Sequence, residues 1–249
     1  MNPARGTGSS VPDQISAGGP PTARPSLDDA VTVILVRHGE TEHTQADLFS
    51  GRGSNPQPSL TAEGGRQADA AGRWVRDMLA PRRPAPPDGD LDQLTLLTSP
   101  LPRTVQTAHR VQQALASSLP TSDDRWAEAD FGQWEGRSPG EVAQQDPERW
   151  IRLFEDPQAG PPGGESRMQV QARVAGALQP VLAQPPGSIV VVSTHLTPIR
   201  AVLAELLDLP WSALRAVQAS PGSVTTLGVW PQRFAALLAL GERPNMGPV

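Results

Sequence analysis

Three short apolar runs in the chain, at residues 31–36, 94–97 and 189–192, do not alternate with polar residues. Uninterrupted β-branched runs of this length suit strands buried on both faces, as in a parallel sheet. Patterns of helical period separate them. One begins at Thr61 and repeats Ala68, Ala71, Val75, Met78 and Leu79, and another follows Pro102 with Val105, Ala108, Val111 and Leu115. A third places Ser166 and Gln169 at capping-box spacing ahead of Val170, Val174, Ala177, Leu178 and Val181. A fourth is expected to open with Thr197 as cap and Pro198 at the first helical position, then Ile199, Val202, Leu203 and Leu206. Ser138-Pro139 and Asp146-Pro147 predict two more helix starts, a small helical excursion near 138–160. Residues 223–230 and 234–240 flank a Pro-Gln-Arg turn and predict a terminal hairpin. Strand and helix alternate, which predicts an α/β fold with a mainly parallel central sheet and helices on both faces.

Composition sets the boundaries of this domain. Residues 1–28 are rich in Pro, Gly, Ala and Ser and have few large apolar groups, so they are expected to be a disordered leader. Residues 81–90 have the character of a surface loop, 29–240 of the folded domain, and 241–249 of a flexible tail. The 249 residues carry 21 Lys+Arg against 26 Asp+Glu and no long run of like charge, so nucleic acid is not an expected partner. With no cysteine, disulfides and cysteine nucleophiles are excluded. No apolar stretch approaches the ~20 residues of a membrane span, so no membrane partner is expected and the expected location is the cytoplasm. A homodimer is compatible with the sequence.

In open α/β sheets ligands bind outside the carboxyl ends of the strands. The first run ends in Arg37-His38-Gly39-Glu40-Thr41, the second in Thr98-Ser99-Pro100-Leu101-Pro102-Arg103, and the third in Ser193-Thr194-His195. A lone histidine at a strand end is ordinarily structural. Here two of the chain's four histidines and two arginines come to one sheet edge from three segments, which points to an anion site. Guanidinium groups bind the oxygens of a transferring phosphoryl group in pairs, a task suited to Arg37 and Arg103. An imidazole is nucleophilic near neutral pH, which suits His38, and a second one, His195, can stabilise the group in transfer. Gly39 lets the backbone approach the phosphate. A site of this kind would take a small phosphorylated metabolite and would use no cofactor. A metal-dependent phosphoesterase holding its ion on His38 and His195 is the alternative from another class, disfavoured by arginines that repel a cation and by the lack of a carboxylate cluster. A non-catalytic interaction module is a third.

The segments LVRHGET, TSPLPRTVQTA, WAEADFGQWEG, GGES and VVSTH, in that order over roughly residues 30–230, resemble the histidine phosphatase superfamily, which also holds cofactor-dependent phosphoglycerate mutases. The resemblance implies a phosphoglycerate mutase-like fold and a metal-independent, acid phosphatase-type phosphomonoesterase. It implies that His38 is the phosphorylated nucleophile, that Arg37, Arg103 and His195 form the phosphate pocket, and that Glu128 donates the proton to the leaving group. Where the family often has an asparagine this chain has Thr44, whose hydroxyl would take over that contact. The His195-Leu-Thr-Pro-Ile-Arg200 segment and the loop Phe49-Ser50-Gly51-Arg52-Gly53 are similar to the branch with alpha-ribazole phosphatases and the acid phosphatase domains fused to ribonuclease H. Thr44, Gly51 and Arg52 thereby become candidate substrate-loop residues. The residues after Glu128 resemble the phosphatase rather than the mutase form, which leaves mutase-type phosphoryl transfer as the alternative within the family.

Other residues carry plainer expectations. His43 and His109 are expected to be solvated, and Arg137 and Arg200 to be surface charges. Glu165 is read equally as a helix-start or a pocket residue. Trp74 and Trp211 are expected in packing, while Trp126 and Trp134 bracket Glu128 and could wall a pocket.

Overall fold

The computed structural model describes residues 26–81, 94–231 and 234–246. In chain order the elements are β1 (Val31–Arg37), α1 (Glu42–Gln45), α2 (Ala62–Leu79), β2 (Leu94–Thr98), α3 (Pro102–Leu115), β3 (Thr121–Ser122), α4 (Pro139–Gln145), α5 (Pro147–Glu155), α6 (Arg167–Leu182), β4 (Ile189–Thr194), α7 (Leu196–Leu207), α8 (Trp211–Leu214), β5 (Val224–Val229) and β6 (Ala235–Glu242). They form a six-stranded sheet in the order β3-β2-β4-β1-β5-β6. The first four of that order pair in parallel, and β5 and β6 add an antiparallel hairpin at one edge.

The uninterrupted apolar runs are explained by two cores. Val33 and Leu35 of β1 and Val190 and Val192 of β4 pack with α6 and α7, through Val174, Leu178, Ile199 and Leu203. Ile34, Val36 and Val191, pointing the other way, pack with α2 and α3 through Ala71, Val75 and Val111. Side chains alternate across a strand, so only a strand with helices over both faces has no polar positions.

The expected helix starts at Thr61, Pro102, Ser138, Asp146 and Ser166 are all present, with full capping boxes at Ser138 and Ser166. The start expected at Thr197 is corrected. Helix α7 opens two residues earlier with His195 as N-cap, and Pro198 occupies the third position. The shift is allowed because the first four N–H groups of a helix have no intrahelical acceptor, so a proline there removes nothing. Elements β3, α1 and α8 span four residues or fewer, too short to show a period.

Of the leader expected at 1–28, all but the last three residues lie outside the described residues, as does most of the 81–90 loop. Ser26 caps a short 3-10 turn over Leu27–Asp29 and accepts a hydrogen bond from the Trp230 indole at 2.8 Å through its carbonyl. Strand β6 continues two residues beyond the expected end at 240. Among the described residues no helix is long and apolar enough to cross a membrane.

The loop after β1 is fixed by its contact with the start of α2. A Cβ on Gly39 would stand 2.1 Å from the Gly64 carbonyl oxygen, and one on Gly64 would stand 2.1 Å from that of Glu40. Thr61 N–H also donates to the Glu40 carbonyl at 3.0 Å. In an ordinary helix Gly→Ala stabilises by about 1 kcal/mol. Here Gly64→Ala is expected to lower the melting temperature instead; an unchanged or raised value would show that the loop and α2 are not in this contact.

Candidate active site

The histidine-bearing turns are aligned by strand register. Arg37 of β1 pairs with Thr194 of β4, and Thr98 of β2 pairs with Ser193. The ladder extends one step past the strand ends, since His38 N–H donates to the Thr194 carbonyl and Ser99 N–H to that of Ser193, both at 3.0 Å. His38, Ser99 and His195 are thus neighbours, with the two imidazole centroids 5.0 Å apart.

Each imidazole has one nitrogen committed. His38 Nδ1 lies 2.7 Å from the Gly39 carbonyl oxygen, an acceptor that requires a proton on Nδ1. The lone pair is left on Nε2. His195 Nε2 lies 2.9 Å from Ser99 Oγ, and its Nδ1 is buried without a partner. Arg103, only 1% exposed, donates from Nη2 to the Ser50 carbonyl at 2.8 Å and from Nη1 to Gln57 Oε1 at 2.9 Å. Arg37 donates from Nη1 to the Ala219 carbonyl at 2.6 Å. Among the described residues, eight buried side-chain polar atoms have no partner, and four of them are Arg37 Nε, Arg103 Nε, Arg200 Nε and His195 Nδ1. Buried donors without acceptors are costly, and the unpartnered guanidinium nitrogens of Arg37 and Arg103, whose charges act on both imidazoles, make an environment that an anion would complete.

Glu128 is buried, and its backbone is held by a two-residue clamp. Arg173 donates to the carbonyls of Arg125, Ala127 and Glu128 and grips both oxygens of Glu165 at 2.9 and 3.0 Å. Glu165 in turn accepts the Asp130 N–H at 3.0 Å. Burial alone would raise the Glu165 pKa, but hydrogen bonds from Arg173 and the Asp130 N–H hold it below the usual range. The Glu128 carboxylate accepts the Ala129 N–H at 2.8 Å and, more loosely, the Thr197 N–H at 3.4 Å near the start of α7. Its charge acts on Arg37, Arg103 and Arg200 alike.

The three substrate-loop candidates fall in different places. Thr44 borders the cavity beside His38, but its hydroxyl is engaged in the capping box of α1 with Thr41. Gly51 is packed: its N–H donates to Glu135 Oε2 at 2.8 Å, and a Cβ would stand 2.0 Å from the Ala129 carbonyl oxygen. Arg52 is exposed, with Nη1 4.0 Å from Glu165. Arg200, expected at the surface, borders the cavity and donates to the Val217 carbonyl at 2.9 Å. That carbonyl, brought in from the segment after α8, holds the Arg200 side chain at the cavity rather than in solvent. Trp126 is a fully buried core residue rather than a pocket wall, and Trp211 packs against the same core as expected while also bordering the cavity. Trp134 is buried behind Phe49 at a ring distance of 5.8 Å. Arg137 and His109 are exposed, and His43 is half-buried with Nδ1 3.1 Å from Ser50 Oγ. Sequence reasoning missed Ser99, Gln57, Glu135 and Arg173; the contacts that bring them to the site, with His195, Arg103, Gly51 and the Arg125–Glu128 carbonyls, come from far away in sequence. No group of three or more His, Asp or Glu side chains among the described residues is arranged to hold a metal ion.

A model of the histidine phosphatase superfamily (branch 1) matches residues 33–240. The chain belongs to that superfamily. Over 176 residues, 71% of its length, the chain is 36% identical to the bifunctional protein Rv2228c of Mycobacterium tuberculosis, and it spans 44% of that relative. It is 31% identical to the probable phosphoglycerate mutase GpmB of Salmonella paratyphi C over 82% of its own length and 87% of the relative's. Among solved structures, mycobacterial glucosyl-3-phosphoglycerate phosphatase in complex with VO3 is similar at a TM-score of 0.69 and 26% identity, covering 85% of this chain and 99% of that one. The putative alpha-ribazole-5'-P phosphatase from Escherichia coli gives 0.67 and 26%, covering 86% and 97%.

Burial and nearby charge set the protonation of the site. Burial first, then the charges of Arg103 and Arg37, hold the His38 pKa well below 6.5, against a smaller opposing effect of the Gly39 carbonyl. Burial, Arg103 and His38 do the same to His195. Burial pushes Arg103 down to about 10. Between the depressed histidine values and about 6.5 the unfolded chain binds more protons than the native protein, so stability falls as pH falls through that window. The ligand-free protein should therefore melt progressively lower from pH 7 to pH 5, and saturating inorganic phosphate should flatten the slope by favouring the charged imidazoles. A melting temperature independent of pH over this range, with and without phosphate, would contradict the depressed histidine pKa values.

Proposed function

We propose that the chain is a phosphomonoesterase that hydrolyses small phosphorylated metabolites through a phosphohistidine on His38, without a metal ion. The observation that carries the reading is the pairing of a free Nε2 lone pair on His38, fixed by the Nδ1 bond to the Gly39 carbonyl, with unpartnered nitrogens on Arg37, Arg103 and His195. Supporting it, the structural neighbour of glucosyl-3-phosphoglycerate phosphatase type was solved with VO3, a phosphate-like oxyanion.

In the first half-reaction His38 Nε2 attacks phosphorus, the ester P–O bond breaks, and Glu128 gives its proton to the departing alkoxide oxygen. Arg37, Arg103 and His195 balance charge on the phosphoryl oxygens, where preorganised donors are most effective. In the second half, the Glu128 carboxylate takes a proton from water, the water oxygen attacks phosphorus, and the N–P electron pair returns to Nε2. Because the free enzyme keeps His38 neutral below 6.5, the nucleophile is ready at mildly acidic pH, in keeping with an acid phosphatase-type activity. Thr44 and Arg52 serve at the margin of the substrate loop in this reading, and Gly51 by letting that loop pack against Ala129.

The test separates nucleophile from proton donor. His38→Ala should abolish turnover while the protein stays folded. Glu128→Gln removes the proton but keeps the shape, so it should slow alkyl phosphates by the ~10²–10⁴-fold typical of general acid catalysis and slow p-nitrophenyl phosphate far less. Exhaustive chelation should leave both rates intact. Equal slowing of both substrates by Glu128→Gln, or loss of activity on chelation with recovery on adding a divalent ion, would overturn the corresponding role.

A further inference from the structure

Beside His38 opens a cavity of about 330 Å³ whose wall changes character with distance from the imidazole. Beyond Glu128 it becomes a belt of rings. Phe131 stacks on Phe49 at 4.8 Å, Phe49 meets Trp150 at 6.3 Å, and Trp150 meets Phe154 edge-on at 4.9 Å. The belt ends in two cations that border the same cavity: the Arg215 guanidinium stands 4.4 Å over Phe154, and that of Arg167 stands 5.8 Å over Trp211.

These two arginines differ from the others nearby. Arg173, Arg125 and Arg110 pair with Glu165, Asp123 and Asp69, whereas among the described residues no carboxylate lies within ion-pair distance of Arg167 or Arg215. Arg167 Nε is buried without a partner, and burial followed by the charge of Arg215 lowers the Arg167 pKa, with Asp156 opposing. Asp156 itself is taken up by the Gln158 N–H and by Arg152. Of the acids on the cavity wall, Glu128 faces the phosphate end, Glu165 is gripped by Arg173, and Asp47 is exposed. Two neighbouring cations stacked on rings, Arg167 half-buried with its Nε unpartnered and Arg215 at the exposed rim, are completed by an anion brought in by a ligand. A cavity of this volume takes a ring-sized group.

We infer that the substrate is a phosphate monoester of an apolar, ring-sized alcohol ending in a carboxylate, with the phosphate at His38, the apolar portion against the Phe131–Phe49–Trp150–Phe154 belt and the carboxylate between Arg167 and Arg215. This rests on the reading of His38 as the phosphoryl acceptor and adds the chemical class of the leaving group. The four-point arrangement makes the site selective for charge at the far end, since a neutral end group leaves both guanidinium groups unpaired.

The matched probes are 4-(phosphonooxy)phenylpropanoate and its primary amide, in which two methylenes insulate the phenol, so both leaving groups have nearly the same basicity. For the full-length protein the ratio of kcat/KM, carboxylate over amide, should be on the order of tenfold or more, as for a charge-assisted contact, and should fall to about one in the Arg167→Gln/Arg215→Gln double variant. The ratio is internally controlled, because any general loss of folding or chemistry affects both esters. Calorimetric binding of the corresponding non-hydrolysable methylenephosphonates should show the same preference and the same loss. A ratio near one in the unaltered protein, or a preference that survives in the double variant, overturns the inference. Absence of turnover of both esters alongside a carboxylate preference in phosphonate binding would instead refute the hydrolytic reading and leave the arginine pair standing as the anion's site.

Discussion

The parallel registration of β2, β4 and β1 is the constraint on which the site depends. Because the ladder continues from Arg37–Thr194 and Thr98–Ser193 into the first bonds of the following turns, the backbone fixes where His38, Ser99 and His195 stand before any side-chain contact is made. The turn after β1 then has one course, pressed onto α2 at Gly39 and Gly64, and that course sets the Gly39 carbonyl against His38 Nδ1. A choice of backbone path thus becomes a choice of tautomer. Loss of the β1–β4 pairing would separate the imidazoles, and loss of the Gly39 contact would release the proton position on His38.

Around that frame the protein concentrates positive charge it does not neutralise. Arg37, Arg103 and Arg200 all lie in the field of Glu128, with Glu135 adding to it at Arg103, and each keeps a buried Nε without an acceptor. Burial, with the arginine charges adding to it, holds both histidine pKa values well below the usual 6.5, so the positive charge that would welcome an oxyanion also disfavours the charged imidazoles. Glu128 can occupy this place because Arg173 and Glu165 hold the chain on both sides of it, leaving its carboxylate bound only to two backbone N–H groups. The clamp commits one ion pair to positioning and spares Glu128 from forming a pair of its own.

Much of this was legible in the sequence where the information is local. The buried runs mark β1, β2 and β4, caps such as Ser138 and Ser166 mark helix starts, and the residues following the runs carry His38, Arg103 and His195 to one edge. The family match over residues 33–240 agrees with that reading. What stayed hidden depends on tertiary placement. No propensity at Thr197-Pro198 distinguishes a start of α7 there from one at His195, and the place of Arg200 at the cavity depends on the Val217 carbonyl from another segment. Trp150 packs on Phe49 from about a hundred residues earlier, Phe154 and Trp211 meet Arg215 and Arg167 from other elements, and Arg173 reaches carbonyls 45 to 48 residues away. Side chains that work through distant backbone leave no spacing to read.

The central claim is that the phosphoryl group passes through His38 Nε2. Its most direct measurement is to quench the protein during turnover of an aryl phosphate under alkaline denaturing conditions, where a phosphoramidate survives, and to locate the phosphoryl group by peptide mass spectrometry and ³¹P–¹⁵N correlation. The account predicts a base-stable, acid-labile phosphoryl group on His38, bonded at Nε2. Phosphate bonded at Nδ1, on His195 or on any other residue, or turnover with no phosphoprotein at any quench time, would contradict it.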